Sequence, residues 1–200
     1  MKLNRLKLPI IKGLCAAVPL LILMTTSLTA CTTQPQTKSN EDHTVEISFE
    51  FKHAGTPASN QIAIWVDDEN GKLVKTIMAT DFTAARRGFE LRSMALEHWT
   101  DAAKPADMSE VELDAVSEAT PRSGSCIYTW DLRDETGEQV PDGKYTVNVE
   151  GTLYWESNVL YSAVIDTRDE RTDLEVTEER SEPDNKQNEE MLTDVKISFS

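Results

Sequence analysis

Ser123–Glu150 reads SGSCIYTWDLRDETGEQVPDGKYTVNVE. Ser123–Leu132 has the β-branched and aromatic content of a strand, ending in Trp130-Asp131. Asp134-Glu135-Thr136-Gly137 and Pro141-Asp142-Gly143 are consecutive turns, because Asp, Gly and Pro each favour turn geometry for a physical reason of their own. The next strand, Lys144–Trp155, alternates through Tyr145, Val147 and Val149, so one face is apolar and the other polar. A strand, a turn-rich connector and a second alternating strand form the framework of an all-β domain.

Outward from that framework the pattern repeats. Downstream, Asn158 marks a turn and Leu160–Ile165 returns as a strand. Upstream, Thr44–His53 places Val45, Ile47, Phe49 and Phe51 at every second position, until Gly55-Thr56-Pro57 breaks it. Gln61–Val66 and Leu73–Ala79 flank Asp68-Glu69-Asn70-Gly71, a hairpin turn, since Asn-Gly supplies the positive-φ positions such a turn needs. Residues 83–118 do not alternate. Leu91, Met94, Ala95 and Trp99 fall on one face at helical spacing, and Met108–Leu113 suggests a further helical turn. The expected fold is all-β dominated, an immunoglobulin-like β-sandwich over 44–167 with a helical excursion around 83–118. Residues 168–190, dense in acid, read as a linker, and 191–200, with Val195, Ile197 and Phe199 alternating, as a last strand returning to the sheet.

The first residues set the compartment. Lys2, Arg5, Lys7 and Lys12 precede an apolar run, Leu14–Leu28, shorter than the about 20 residues of a membrane span. Leu28-Thr29-Ala30-Cys31 follows and resembles the lipobox of bacterial lipoproteins. That resemblance implies a signal peptide over 1–30, a diacylglycerol on Cys31, a polar tether over 31–43 and anchoring on the outer side of the cytoplasmic membrane. Loss of four cations and no acid takes the formal charge from −15 to −19. Such a chain is a poor ligand for nucleic acid, whose binding rests on cations at phosphates. After processing and lipidation only Cys126 remains as a thiol, so no internal disulfide forms, and its apolar strand suits a small buried side chain.

Trp130-Asp131 followed by Gly137, Val140, Gly143 and Tyr145 resembles the immunoglobulin-like domains of the flagellar hook-capping type. Over Gln61–Glu170 the order of features is similar to the DUF2271 family of bacterial extracytoplasmic proteins. These features are Ile64-Trp65-Val66, Arg86-Arg87 with Trp99, the element Asp114-Ala115-Val116-Ser117-Glu118-Ala119-Thr120, then Trp130-Asp131 and Gly143-Lys144-Tyr145. The resemblance implies a non-enzymatic binding or accessory module beside envelope redox or iron-uptake proteins.

Asp114, Ser117, Ala119 and Thr120 also resemble the acceptor motif for covalent FMN, on which a separate flavin transferase esterifies the threonine. Glu118 departs from it, standing where Gly or Ser is usual. The resemblance implies attachment at Thr120, with Trp99 or Trp130 as stacking surfaces. Pro121 favours an extended Thr120, as an acceptor entering another enzyme's site requires.

Other chemistry finds little support. Asp67-Asp68-Glu69-Asn70-Gly71 lacks the spacing of a calcium loop, and His43, His53 and His98 are scattered. No G-x-S-x-G, H-E-x-x-H or phosphate-binding glycine loop occurs. Arg86, Arg87 and Arg92 suit either an anionic ligand or the neutralisation of neighbouring acids.

Overall fold

The computed structural model describes residues 43–56, 58–170 and 172–200. The expected signal peptide, Cys31 and the tether up to residue 42 lie outside them. The alternating apolar residues of β1 (Val45–Phe51) are buried and its Glu46 and Glu50 exposed, as a period of two demands. In chain order follow β2 (Gln61–Asp68), β3 (Leu73–Thr80), α1 (Gly88–Leu91), α2 (Glu97–Ala103), α3 (Glu110–Val116) and β4 (Ser117–Glu118). Next come β5 (Gly124–Trp130), β6 (Lys144–Tyr154), β7 (Ser157–Asp166), β8 (Thr172–Asp173), β9 (Thr177–Arg180) and β10 (Leu192–Phe199).

These strands form a sandwich. One sheet has four strands in the order β5-β1-β10-β8, the other six in the order β4-β3-β2-β6-β7-β9. All pairings are antiparallel except β3 with β4. Between the sheets lie Val45, Ile47, Phe49, Phe51 and Ile197 of the four-stranded sheet against Ile62, Ile64, Val147 and Val149 of the six-stranded one. Trp130 and Tyr145 meet edge to face at 5.4 Å; the Trp130 indole donates to the Arg133 carbonyl and the Tyr145 hydroxyl to that of Pro141. The two aromatics therefore fill the core and fasten the connector between their strands.

A second apolar cluster lies on the outer face of the six-stranded sheet. Ala63, Trp65 and Ala79 are buried there under Leu96, Trp99, Ala103 and Val116 of the helical excursion. This covering is why β2 is apolar on both faces.

The excursion differs from the expected single helical face. Leu96 and Lys104 adopt left-handed backbone, φ 54° and 49°, and split it into short helices. Leu91 is consequently exposed, whereas Ala95, Leu96 and Trp99 are buried. The turn expected at Asn158 falls instead at Trp155-Glu156, and β7 runs from Ser157. The acidic stretch 168–190 carries β8 and β9. It is held by backbone pairing, by Leu174 and Val176 on the core, and by Asn188, whose amide donates to the Leu153 carbonyl at 2.8 Å. β10 pairs with β1 from Val45↔Phe199 to Phe51↔Leu192.

Candidate functional site

The element Asp114–Thr120 begins in a helix and ends beside a cleft. A capping box starts α3: Ser109 Oγ accepts from the Glu112 N–H, and Glu112 Oε2 accepts from the Ser109 N–H at 2.7 Å. Leu113 and Val116 bury one side of α3, leaving Asp114 and Ala115 exposed. Ser117 and Glu118 pair with Ala79 and Thr80 of β3, and the Asp81 N–H donates to the Glu118 carbonyl at 2.7 Å. The chain is pinned up to Glu118. Ala119 is exposed, and Thr120 is half-buried.

The Thr120 hydroxyl donates to the Asn60 carbonyl over a long 3.5 Å. It borders an open cleft of about 440 Å³ lined also by His53, Gly55, Ser59, Gln61 and Phe82. The Phe82 ring is 36 % exposed. It lies over Gly88, where an added Cβ would clash first with the Phe82 carbonyl oxygen and then, at 2.7 Å, with the ring, so only glycine allows this approach. Glu118 faces Tyr128: burial first, and the Glu118 charge second, push the Tyr128 hydroxyl well above its ordinary range.

The motif residues are not gathered at one point. Asp114 borders a separate cleft with Ala85, Arg87 and Glu110. Trp99 and Trp130, expected as stacking surfaces, are buried in the two apolar clusters and present no face to a surface ligand. Both fill core volume, a role that a tryptophan's size favours. Phe82 is the exposed ring at Thr120, and its sequence neighbourhood gave no signal of it.

Arg86, Arg87 and Arg92 also stay apart. Arg86 pairs with Asp81 at 2.6 Å, and Arg87 pairs with Glu90. Arg92 donates to the carbonyls of Ala58 and Trp155 at 3.2 and 3.1 Å and stacks on the Trp155 ring. In the β2–β3 turn Asp68 Oδ1 accepts from the Asn70 and Lys72 N–H groups and so caps the turn. Among the described residues no group of three or more His, Cys, Asp or Glu is placed to hold a metal. Cys126 is half-buried; burial and then Glu50 raise its thiol pKa, opposite to the shift that activates a cysteine.

Two polar groups on the outer face of the six-stranded sheet escape a reading of the sequence. Glu150, wholly buried on β6, accepts from the backbone N–H of His98 at 3.3 Å and of Trp99 at 2.9 Å. Its Oε1 also lies 3.0 Å from His98 Nδ1. Leu96, at the start of α2, has no capping side chain, so Glu150 supplies the acceptor from the sheet. The hydrogen bond to Glu150 raises the His98 pKa in spite of desolvation. Nearby, Asp67 Oδ2 accepts from the Trp65 indole and the Asn148 amide, each at 2.9 Å, and Ser162 donates to Asn148 Oδ1 at 2.7 Å. Burial raises the Asp67 pKa and these two donors pull it back. The one sequence signal for such groups is the two-sided apolarity of β2, which marks the outer face as covered.

A protein-family model described as a predicted periplasmic protein, DUF2271, matches residues 42–182. No curated protein and no solved structure matches the chain. Among the described residues no helix is long and apolar enough to cross a membrane.

Proposed function

The chain belongs to the DUF2271 family of predicted periplasmic proteins, and from that premise we propose that it is a lipid-anchored, non-enzymatic binding or accessory module of the cell envelope. In this reading Cys31 carries the lipid, and the domain works beside membrane redox or iron-uptake proteins. The observation that supports a structural role for the buried carboxylate–histidine pair is the engagement of Glu150. Both its oxygens hold the start of α2, and His98, its acid–base partner, is tied to the same carboxylate. A pair fixed in this way serves the packing of the helices on the sheet. The test is membrane fractionation of the full chain and of Cys31→Ala. Retention and processing are lost in the variant; unchanged behaviour of both contradicts the anchor.

A second reading, a covalent FMN carrier, is favoured by the cleft at Thr120. Thr120 and the partly exposed Phe82 ring both line it, which supports an isoalloxazine held through its phosphate on the hydroxyl beside an aromatic face. Glu118, the departure from the motif, has its charge turned toward Tyr128. The transfer balances with FAD as donor. The Thr120 oxygen bonds to the FMN phosphorus, the pyrophosphate P–O bond breaks, and AMP leaves with the hydroxyl proton. A bound flavin supplies electron transfer; Thr120 would hold it and Phe82 would orient its ring. Co-expression with a flavin transferase and an intact mass test this: a gain of one FMN less water, lost in Thr120→Ala, establishes the carrier. An unmodified chain, where a known acceptor is modified, overturns it.

A further inference from the structure

The edges of the two sheets are managed unequally. On the free side of β3, β4 pairs at Ala79 and Thr80. Further along, Glu135 Oε1 accepts from the Thr76 N–H at 2.6 Å, and the Glu135 N–H donates to the Val74 carbonyl at 3.1 Å. The far side of β10 is covered by β8 and by the Leu174 N–H on the Ile197 carbonyl. At the other end of the six-stranded sheet β9 is short and charged, with Glu178, Glu179 and Arg180 in sequence. Short strands, charges and covering loops are how sheets avoid pairing with foreign strands.

β5 carries no such protection on its own backbone edge, although the Glu118 charge lies beside Tyr128 on its inward face. It is seven residues, GSCIYTW, without a charge or a proline. Its register with β1 runs unbroken from Val45↔Trp130 to Phe51↔Gly124, so no bulge twists the edge away. It ends the order of its sheet, and no described segment pairs with its outer side. At its midpoint Ile127 is 64 % exposed. An uncharged strand of this length stands out in a chain whose residues are 28 % charged.

We propose that β5 is a self-association edge, through which two copies of this chain pair antiparallel. The strand is self-complementary about its centre. A two-fold axis at Ile127 sets that side chain against Ile127 of the second copy and Ser125 against Thr129, with no like charges directly opposed. The four-stranded sheet then continues across both copies, and the two Ile127 side chains shield each other from water. Backbone hydrogen bonds supply the affinity, as in other strand additions. The formal charge, −15 for the whole chain and −19 once residues 1–30 are removed, opposes the approach, and Glu46 and Glu50 lie one strand in, opposite Thr129 and Ser125. Added salt screens that repulsion and strengthens the pair.

Cysteine cross-linking tests the edge in the full chain in its membrane. Ile127→Cys is made in a Cys126→Ser background and oxidised, with Val164→Cys, an exposed position on the other sheet, as control. The expected result is a disulfide-linked species of twice the chain mass from Ile127→Cys alone. Its yield rises several-fold as NaCl goes from about 50 to about 500 mM. As an independent measurement, light scattering of the detergent-solubilised chain gives a dimer mass that falls to a monomer mass in Ile127→Lys. No cross-link, equal cross-links at both positions, or a product whose mass is not twice that of the chain, as from a foreign strand, overturns the proposal.

Discussion

Glu150 on β6 accepts the backbone N–H of Trp99 at 2.9 Å, and this bond fastens the first turn of α2 to the sheet it covers. A buried acceptor that holds two N–H groups of a helix start is costly to remove, because the donors cannot turn to water. Glu150→Ala should therefore destabilise the domain by about 2–4 kcal/mol. Glu150→Gln, which keeps one acceptor oxygen, should cost less, about 1–2 kcal/mol. Urea unfolding followed by tryptophan fluorescence measures both; two equal and negligible losses contradict the capping role.

His98 makes part of that stability depend on pH. Its folded pKa is raised, first by the hydrogen bond to Glu150. A raised histidine contributes fully below its unfolded pKa, about 6.5. That contribution is lost as pH rises through the folded pKa. The urea midpoint should fall modestly on going from about pH 6 to about pH 8, modestly because solvent screens a half-exposed ring. In His98→Gln this decline should flatten. A wild-type midpoint that rises over the same range contradicts the sign.

Gly88 sets the position of Phe82 and hence the shape of the Thr120 cleft. A methyl group at residue 88 would meet the Phe82 carbonyl oxygen first and the Phe82 ring at 2.7 Å. Gly88→Ala should lower stability by about 1–3 kcal/mol through overpacking, whereas Gly55→Ala, with open space around it, should not. Thermal unfolding of the two variants compares them directly; equal midpoints contradict the contact.

The sandwich was legible where side chains obey a period of two. Val45 to Phe51 and the Trp130 and Tyr145 strands fold as their patterns require, and the β2–β3 hairpin forms where expected, although only Gly71, at φ 74°, and not Asn70 takes the positive φ. The covered outer face was not legible. Its short helices are divided at Arg87, Leu96 and Lys104, all in left-handed backbone and none of them glycine, so no residue type marks the breaks. Glu150 sits at an outward position in an alternating strand and reads as a solvated acid; only the helices above it make it buried. Of the motif at Asp114–Thr120, the spacing was visible. That Asp114 and Thr120 border different clefts follows from β4 pinning the residues between them.

Tryptophan accessibility checks the two-layer burial. Trp65, Trp99 and Trp130 are buried, and Trp155 is 53 % exposed beneath Arg92. Acrylamide should quench one accessible component of the fluorescence, and Trp155→Phe should remove it. Several accessible components in the folded chain contradict the covering of the outer face by α2.

The intact mass of the chain recovered from the membranes of cells that also make a flavin transferase separates a lipid-anchored accessory module from a flavin carrier. The expected product is a mature chain that begins at Cys31, carries lipid there and has no further addition. An unlipidated chain contradicts the anchor, and a gain of one FMN less water, lost in Thr120→Ala, contradicts the accessory-module reading in favour of the flavin carrier.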